Sequence, residues 1–285
     1  VNIDAFAPSL FFFLASHIDL LEEVAKFRAV RRIWSKIIKE RYGAKDPESM
    51  KARIFIMTMG GALTAEQPLN NVARVTVEAL AAVLGGVQTV ATSSYDEALS
   101  IPTEESVTVA LRTQQIIGYE IGVTGTVDPL GGSYYVEYLT DKIEKEVFEY
   151  IEKVDKMGGA ACAVEQGFYQ KELADAAYKY QRMVDAGDRT IVGVNRFTDS
   201  NSAKVPLFKV NDEVRQSQIK KLEILKASRD NAKVDAALVN LAEVARKGEN
   251  LGEAMIAAVA EYATIGEICA TLKEVFGGYR SPTIF

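Results

Sequence analysis

Three short apolar runs, Pro8–Ala15, Arg53–Met59 and Val87–Ser93, are each followed by a longer stretch in which apolar residues recur at helical spacing. The first run leads into a helix expected over Leu20–Arg41, whose apolar face is Leu20, Leu21, Val24, Phe27, Val30, Trp34 and Ile37. The second passes through Gly60-Gly61 into a helix expected over Thr64–Leu84. There Thr64 stands three residues before Gln67, a capping-box spacing, and Pro68 falls in the first turn. The third passes through Tyr95-Asp96-Glu97-Ala98 and Pro102 into a helix over Thr103–Tyr119, whose Thr103, Glu104 and Glu105 favour a helix N-terminus.

Strand and helix alternating three times predict a parallel sheet in an α/β fold. Three units cannot close an eight-stranded barrel, so the sheet stays open or is completed by strands from elsewhere. After the turn-rich Asp128-Pro129-Leu130-Gly131-Gly132 the pattern turns almost wholly helical. Seven helices are expected, over Ser133–Lys156, Gly159–Gly167, Lys171–Ala186, Val210–Ser228, Ala232–Lys247, Leu251–Tyr262 and Ile265–Phe276. Thr190–Phe197 and Val205–Val210 read as short strands between them. The expected division is therefore a sheet-bearing part over residues 1–128 and a helical or linker part over residues 129–285.

Composition narrows the function. With 48% hydrophobic and 25% charged residues and a net charge of −6 over 285 residues, the chain has no basic footprint for nucleic acid or an anionic membrane surface. Its most apolar stretch, Leu10–Ala15, is far too short to span a bilayer, and no signal-peptide pattern opens it, so a cytoplasmic setting is expected. Cys162 and Cys269 are far apart and read as buried thiols. The single histidine, His17, excludes any site needing two imidazoles and reads as structural at a strand-to-helix junction.

Leu63-Thr64-Ala65-Glu66-Gln67-Pro68-Leu69-Asn70-Asn71-Val72-Ala73-Arg74, Tyr95 to Thr103 and Asp128 to Glu137 resemble, in order, motifs of the cobalamin-dependent methylmalonyl-CoA mutase family. Val192-Gly193-Val194-Asn195 and Glu22 to Ala29 extend the resemblance over nearly the whole chain. It implies part of the large, substrate-binding subunit: the last three units of a coenzyme-A-threading (β/α)8 TIM barrel, followed by a mostly helical region. The first five strands would lie outside this chain. It also implies adenosylcobalamin as cofactor, an acyl-CoA substrate, and partners in the form of a separate cobalamin-binding subunit and a barrel-completing or paralogous mutase chain. The ending Gly277-Gly278-Tyr279-Arg280-Ser281-Pro282 resembles that of large subunits whose cobalamin domain is a separate polypeptide. The family's cobalt-ligating Asp-x-His-x-x-Gly fails around His17, which has Ala15 two residues before it and Leu20 three after.

By the same resemblance, Glu97 matches an acidic residue that contacts the adenosyl ribose, and Gly60 and Ala98 match small residues lining the cofactor face. A carboxylate suits sugar hydroxyls because a charged acceptor strengthens the hydrogen bond. Other positions depart from the family. Phe55 and Met57 stand where it has His and Gln, Ala91 and Ser93 where it has His and Asn, Ser9 and Phe11 where it has Arg and Ser, and Gly61 where it has Trp. These exchanges remove hydrogen-bonding groups that would orient a thioester and a guanidinium suited to phosphate. No catalytic residue is assigned. The expected role is a subunit or fragment inactive by itself; the competing readings are an active component completed by another chain, taking a more apolar acyl-CoA, and a truncated piece. A bare apolar strand at Leu10–Leu14 further predicts association.

Overall fold

The computed structural model describes residues 1–199 and 205–278, and the Tyr279–Pro282 part of the ending motif lies outside them. The described chain is mixed α/β, mostly helical, with one parallel sheet of three strands in the order β1 (Phe12–Ser16), β2 (Ile54–Thr58), β3 (Thr89–Ala91). Phe12 pairs with Ile54 and Met57 with Ala91, so the chain steps once along the sheet with each strand. The crossovers carry α1 (Leu20–Lys36) and α2 (Asn71–Leu84), and α3 (Glu104–Tyr119) follows β3.

Strand side chains alternate between faces, and here the two faces differ sharply. Ile54 and Ile56 join Phe27, Ala52 and Ala82 in a fully packed cluster, with Phe12, Leu14, Val30, Trp34 and Val90 against it. Phe12 meets Trp34 edge-on at 5.1 Å, and the indole Nε1 donates to Ser49 O at 3.0 Å. The opposite face is bare: Phe11 is 70% and Phe13 63% exposed, and Phe13 stacks on Phe55 at 5.0 Å. Leu21 also points outward, because the buried stripe of α1 runs through Val24, Phe27 and Ile33 instead.

The helical pattern after residue 128 begins inside the same compact unit as the sheet. Two such units form, Val1–Phe208 and Lys209–Phe285. In the first, α4 (Tyr134–Lys156) lies along α1 through ion pairs: Arg28 to Asp128 and Glu137 at 3.0 and 2.7 Å, Arg32 to Asp141 at 2.7 Å, and both Arg32 and Lys36 to the buried Glu144. Beneath them Val24, Ala81 and Val136 close a second core. The unit continues through α5 (Ala160–Glu165) and α6 (Phe168–Asp185).

The second unit contains α7 (Asp212–Ser228), α8 (Asn231–Lys247), α9 (Gly252–Ala260) and α10 (Ile265–Phe276). Val234, Ala258 and Ala263 form its core. Arg229 pairs with Glu267 at 2.6 Å, and Glu267 completes a capping box with Thr264.

Several expectations need correction. No capping box forms at Thr64 and Gln67: the Thr64 hydroxyl donates to Glu66 O, Gln67 turns left-handed at φ 47°, and α2 begins only at Asn71. Thr190–Phe197 is not a strand but a tight loop closed by one bridge, Val192 to Arg196, because the Asn195 amide ties it back to the Val184 and Arg189 carbonyls. Val205–Val210 has no ladder partner among the described residues. Neither cysteine is fully buried: Cys162 is half-buried and Cys269 exposed, on a helix whose turns pack only one side. Thr103, by contrast, caps α3 as expected, accepting from Ser106 N.

Candidate functional site

Parallel strands present their C-terminal ends on one edge, and connecting loops gather there. On this edge the Ser93 amide donates to the Thr58 hydroxyl at 2.8 Å and the Ser93 hydroxyl donates to Thr58 O, which locks the end of β3 onto the end of β2. Buried Asn71, at the start of α2, donates to Thr64 O and Tyr95 O at 2.9 and 2.8 Å, holding the loops after both strands. Buried Asp96 accepts from Thr103 N, so the turn bearing Glu97 and Ala98 is fixed from both sides.

This scaffold brings Gly60 and Glu97 together. A Cβ on Gly60 would collide with the Glu97 carboxylate, so the absence of a side chain is what admits it. Ala98 follows, exposed beside the half-buried Glu97. The three residues named from sequence therefore share one turn-and-loop surface at the strand ends.

A further carboxylate was not expected there. Glu78 of α2 is completely buried, and neither carboxylate oxygen makes a hydrogen bond of normal geometry among the described residues. Burial pushes its carboxyl up to about 8; Glu23 and Glu97 add to the shift, while the Met59 backbone and Arg74 oppose it. The signal was present in the pattern: a lone acid between Val75 and Ala82 on an apolar helix stripe.

His17 lies elsewhere on this edge, lining a cavity of about 660 Å³ with Gly61, Leu63, Arg74, Tyr180 and Arg189. Its imidazole is held below the ordinary histidine range by burial, which Glu23 opposes and Arg189 reinforces. Among the described residues no three His, Cys, Asp or Glu side chains gather as a metal site, and no helix is long and apolar enough to cross a membrane.

The molecule is thus a parallel β/α protein whose candidate site, built of one carboxylate over small residues, lies at the strand C-termini. More narrowly, the chain belongs to the methylmalonyl-CoA mutase family, whose sequence model, described as "Methylmalonyl-CoA mutase", matches residues 1–278. It is 45% identical to the 2-hydroxyisobutanoyl-CoA mutase large subunit of Aquincola tertiaricarbonis over 100% of this chain and 51% of that protein. It is 42% identical to a methylmalonyl-CoA mutase of Escherichia coli strain K12 over 99% of this chain and 40% of that protein. A probable mitochondrial methylmalonyl-CoA mutase of Caenorhabditis elegans is also 42% identical, over 99% of this chain and 38% of that protein. The chain spans about half, or less, of the length of these relatives.

Proposed function

We propose that this chain is part of the large subunit of a cobalamin-dependent acyl-CoA mutase, supplying the last three β/α units of its barrel and catalytically inactive by itself. Residues 1–128 would form the barrel part and residues 129–285 a helical or linker region. The observation that carries this reading is the bare sheet face. It presents Phe11, Phe13, Phe55 and Met57 where a thioester would have to be oriented, and none of these offers a strong hydrogen bond.

The cofactor face is the part that fits. Gly60 makes room for the Glu97 carboxylate and Ala98 adds little bulk beside it, so this surface suits a flat macrocycle with Glu97 accepting from sugar hydroxyls. When bound, adenosylcobalamin supplies an organic radical by homolysis of its cobalt–carbon bond. Cobalt ligation would fall to a separate domain or subunit, since the motif around His17 lacks the acidic and glycine positions.

The Phe13–Phe55 stack favours a second reading, in which another chain completes the barrel and this apolar wall selects a more apolar acyl group. One experiment separates the two. The chain is mixed with a cobalamin-binding subunit and a polypeptide carrying the other barrel strands, and turnover of acyl-CoA esters is followed. The first reading expects no turnover from this chain with the cobalamin subunit alone, and adenosylcobalamin binding that weakens in Glu97→Gln. Turnover without a barrel-completing chain would overturn it. Turnover only in the three-part mixture, faster on branched apolar acyl groups, supports the second.

A further inference from the structure

The His17 cavity is lined by two arginines, Arg74 and Arg189, that make no ion pair among the described residues. Arg74 donates from Nη1 to the Thr64 hydroxyl and Asn71 Oδ1, and from Nη2 to Val192 O, at 2.7–2.9 Å; all three acceptors are neutral. The guanidinium of Arg189 rests on the Tyr180 ring at 4.9 Å and makes neither an ion pair nor a hydrogen bond among the described residues. Arg28 and Arg32 on α1, by contrast, each meet two carboxylates. Only one acid, Glu66, is on the cavity lining, and it is exposed. Glu78 lies one turn along α2 from Arg74, where an acid would normally answer an arginine. It is buried, is not on the cavity lining, and makes no hydrogen bond to Arg74 among the described residues, so it acts on the guanidinium only at longer range.

We propose that this cavity binds a small molecule bearing a carboxylate or phosphate on an apolar body. The neutral acceptors hold the Arg74 fork in place before any ligand arrives, and fork-shaped donors suit planar or tetrahedral oxyanions. Leu63, Ile18 and Val194 supply apolar wall, and Tyr180 a flat one. The volume falls within the range of small-molecule sites. Burial lowers the affinity of Arg74 for its own proton, so a bound anion would relieve an unfavourable desolvated charge.

Gly61 controls the space. Gly61 is on the cavity lining, and a Cβ there would meet only Met59 side-chain atoms, at 3.5 and 3.9 Å, which is ordinary contact, so a bulkier residue can be introduced at this wall.

The test is titration calorimetry of the whole chain with hexanoate and, separately, with inorganic phosphate. Saturable binding of hexanoate in preference to phosphate assigns the site to carboxylates, and the reverse to phosphates. In either case Arg189→Gln should weaken binding about tenfold, and Gly61→Trp should abolish it, both with unchanged circular dichroism. If Arg189→Gln does not fold, shifts of the Arg74 side-chain nitrogen resonances on titrating the wild-type chain give the same answer. No saturable binding of either probe, affinity unchanged in Gly61→Trp, or static Arg74 resonances would overturn the proposal.

Discussion

Glu78 poses the sharpest question of any single residue, because a buried acid without partners is stable only when it keeps its proton. Its folded-state carboxyl is raised to about 8, against an unfolded value near 4.5. The folded chain therefore holds a proton that the unfolded chain releases. Stability from this group is fully present below pH 4.5 and is lost as pH rises towards 8, by an amount on the order of a few kcal/mol. Glu78→Gln, which imitates the protonated form, should flatten this decline, so the variant should melt above the wild type at pH 8 and nearly with it at pH 4.5. Equal melting temperatures at pH 8 would show that Glu78 finds a partner in solution. Gly60 makes a simpler prediction: Gly60→Ala should displace Glu97, and adenosylcobalamin affinity in the assembled complex should fall about as far as in Glu97→Gln.

Among the elements, the contact of α1 with α4 joins residues more than 100 positions apart through charge rather than apolar packing alone. The Arg28 guanidinium and the Gly132 amide hold the Glu137 carboxyl down to about 2. That contribution is present above the unfolded pKa and disappears as pH falls through about 2. In Arg28→Gln the Glu137 titration, followed by carboxyl carbon resonances, should return most of the way to the ordinary glutamate range. A midpoint still near 2 would assign the shift to the Gly132 amide instead. Helix periodicity made most elements legible in the sequence: α3, α8 and α10 begin and end within a residue or two of expectation, because caps and apolar stripes are local signals. The start of α2 was misplaced since the Thr64 loop is shaped by Asn71 and by Tyr95, 24 residues further on. The loop at Val192 looked like a strand because its β-branched residues serve a turn held by Asn195. Glu97 beside Gly60 was legible only through resemblance to a family, since no local rule places two loops of different strands together. The cavity at His17 was not legible as a cavity in the sequence, being assembled from five separated stretches of chain.

For the molecule as a whole, the exposed aromatic face and an edge of β1 that pairs with no strand among the described residues predict self-association. Analytical ultracentrifugation should show self-association at micromolar concentration that Phe11→Lys together with Phe13→Lys reduces. A monodisperse wild-type monomer would contradict it. The net charge of −6 is too small to oppose such association strongly. The seating of Trp34, edge-on to Phe12 with its indole hydrogen-bonded to Ser49, has one practical consequence. It is the sole tryptophan, so its fluorescence emission observes the first compact unit and is blind to the second, whereas far-ultraviolet ellipticity sums the helices of both. Recording both signals along one urea titration therefore gives an optical separation of the two units. A red shift that precedes or trails the ellipticity loss would mean that they unfold as independent bodies, and superimposable curves that they unfold as one.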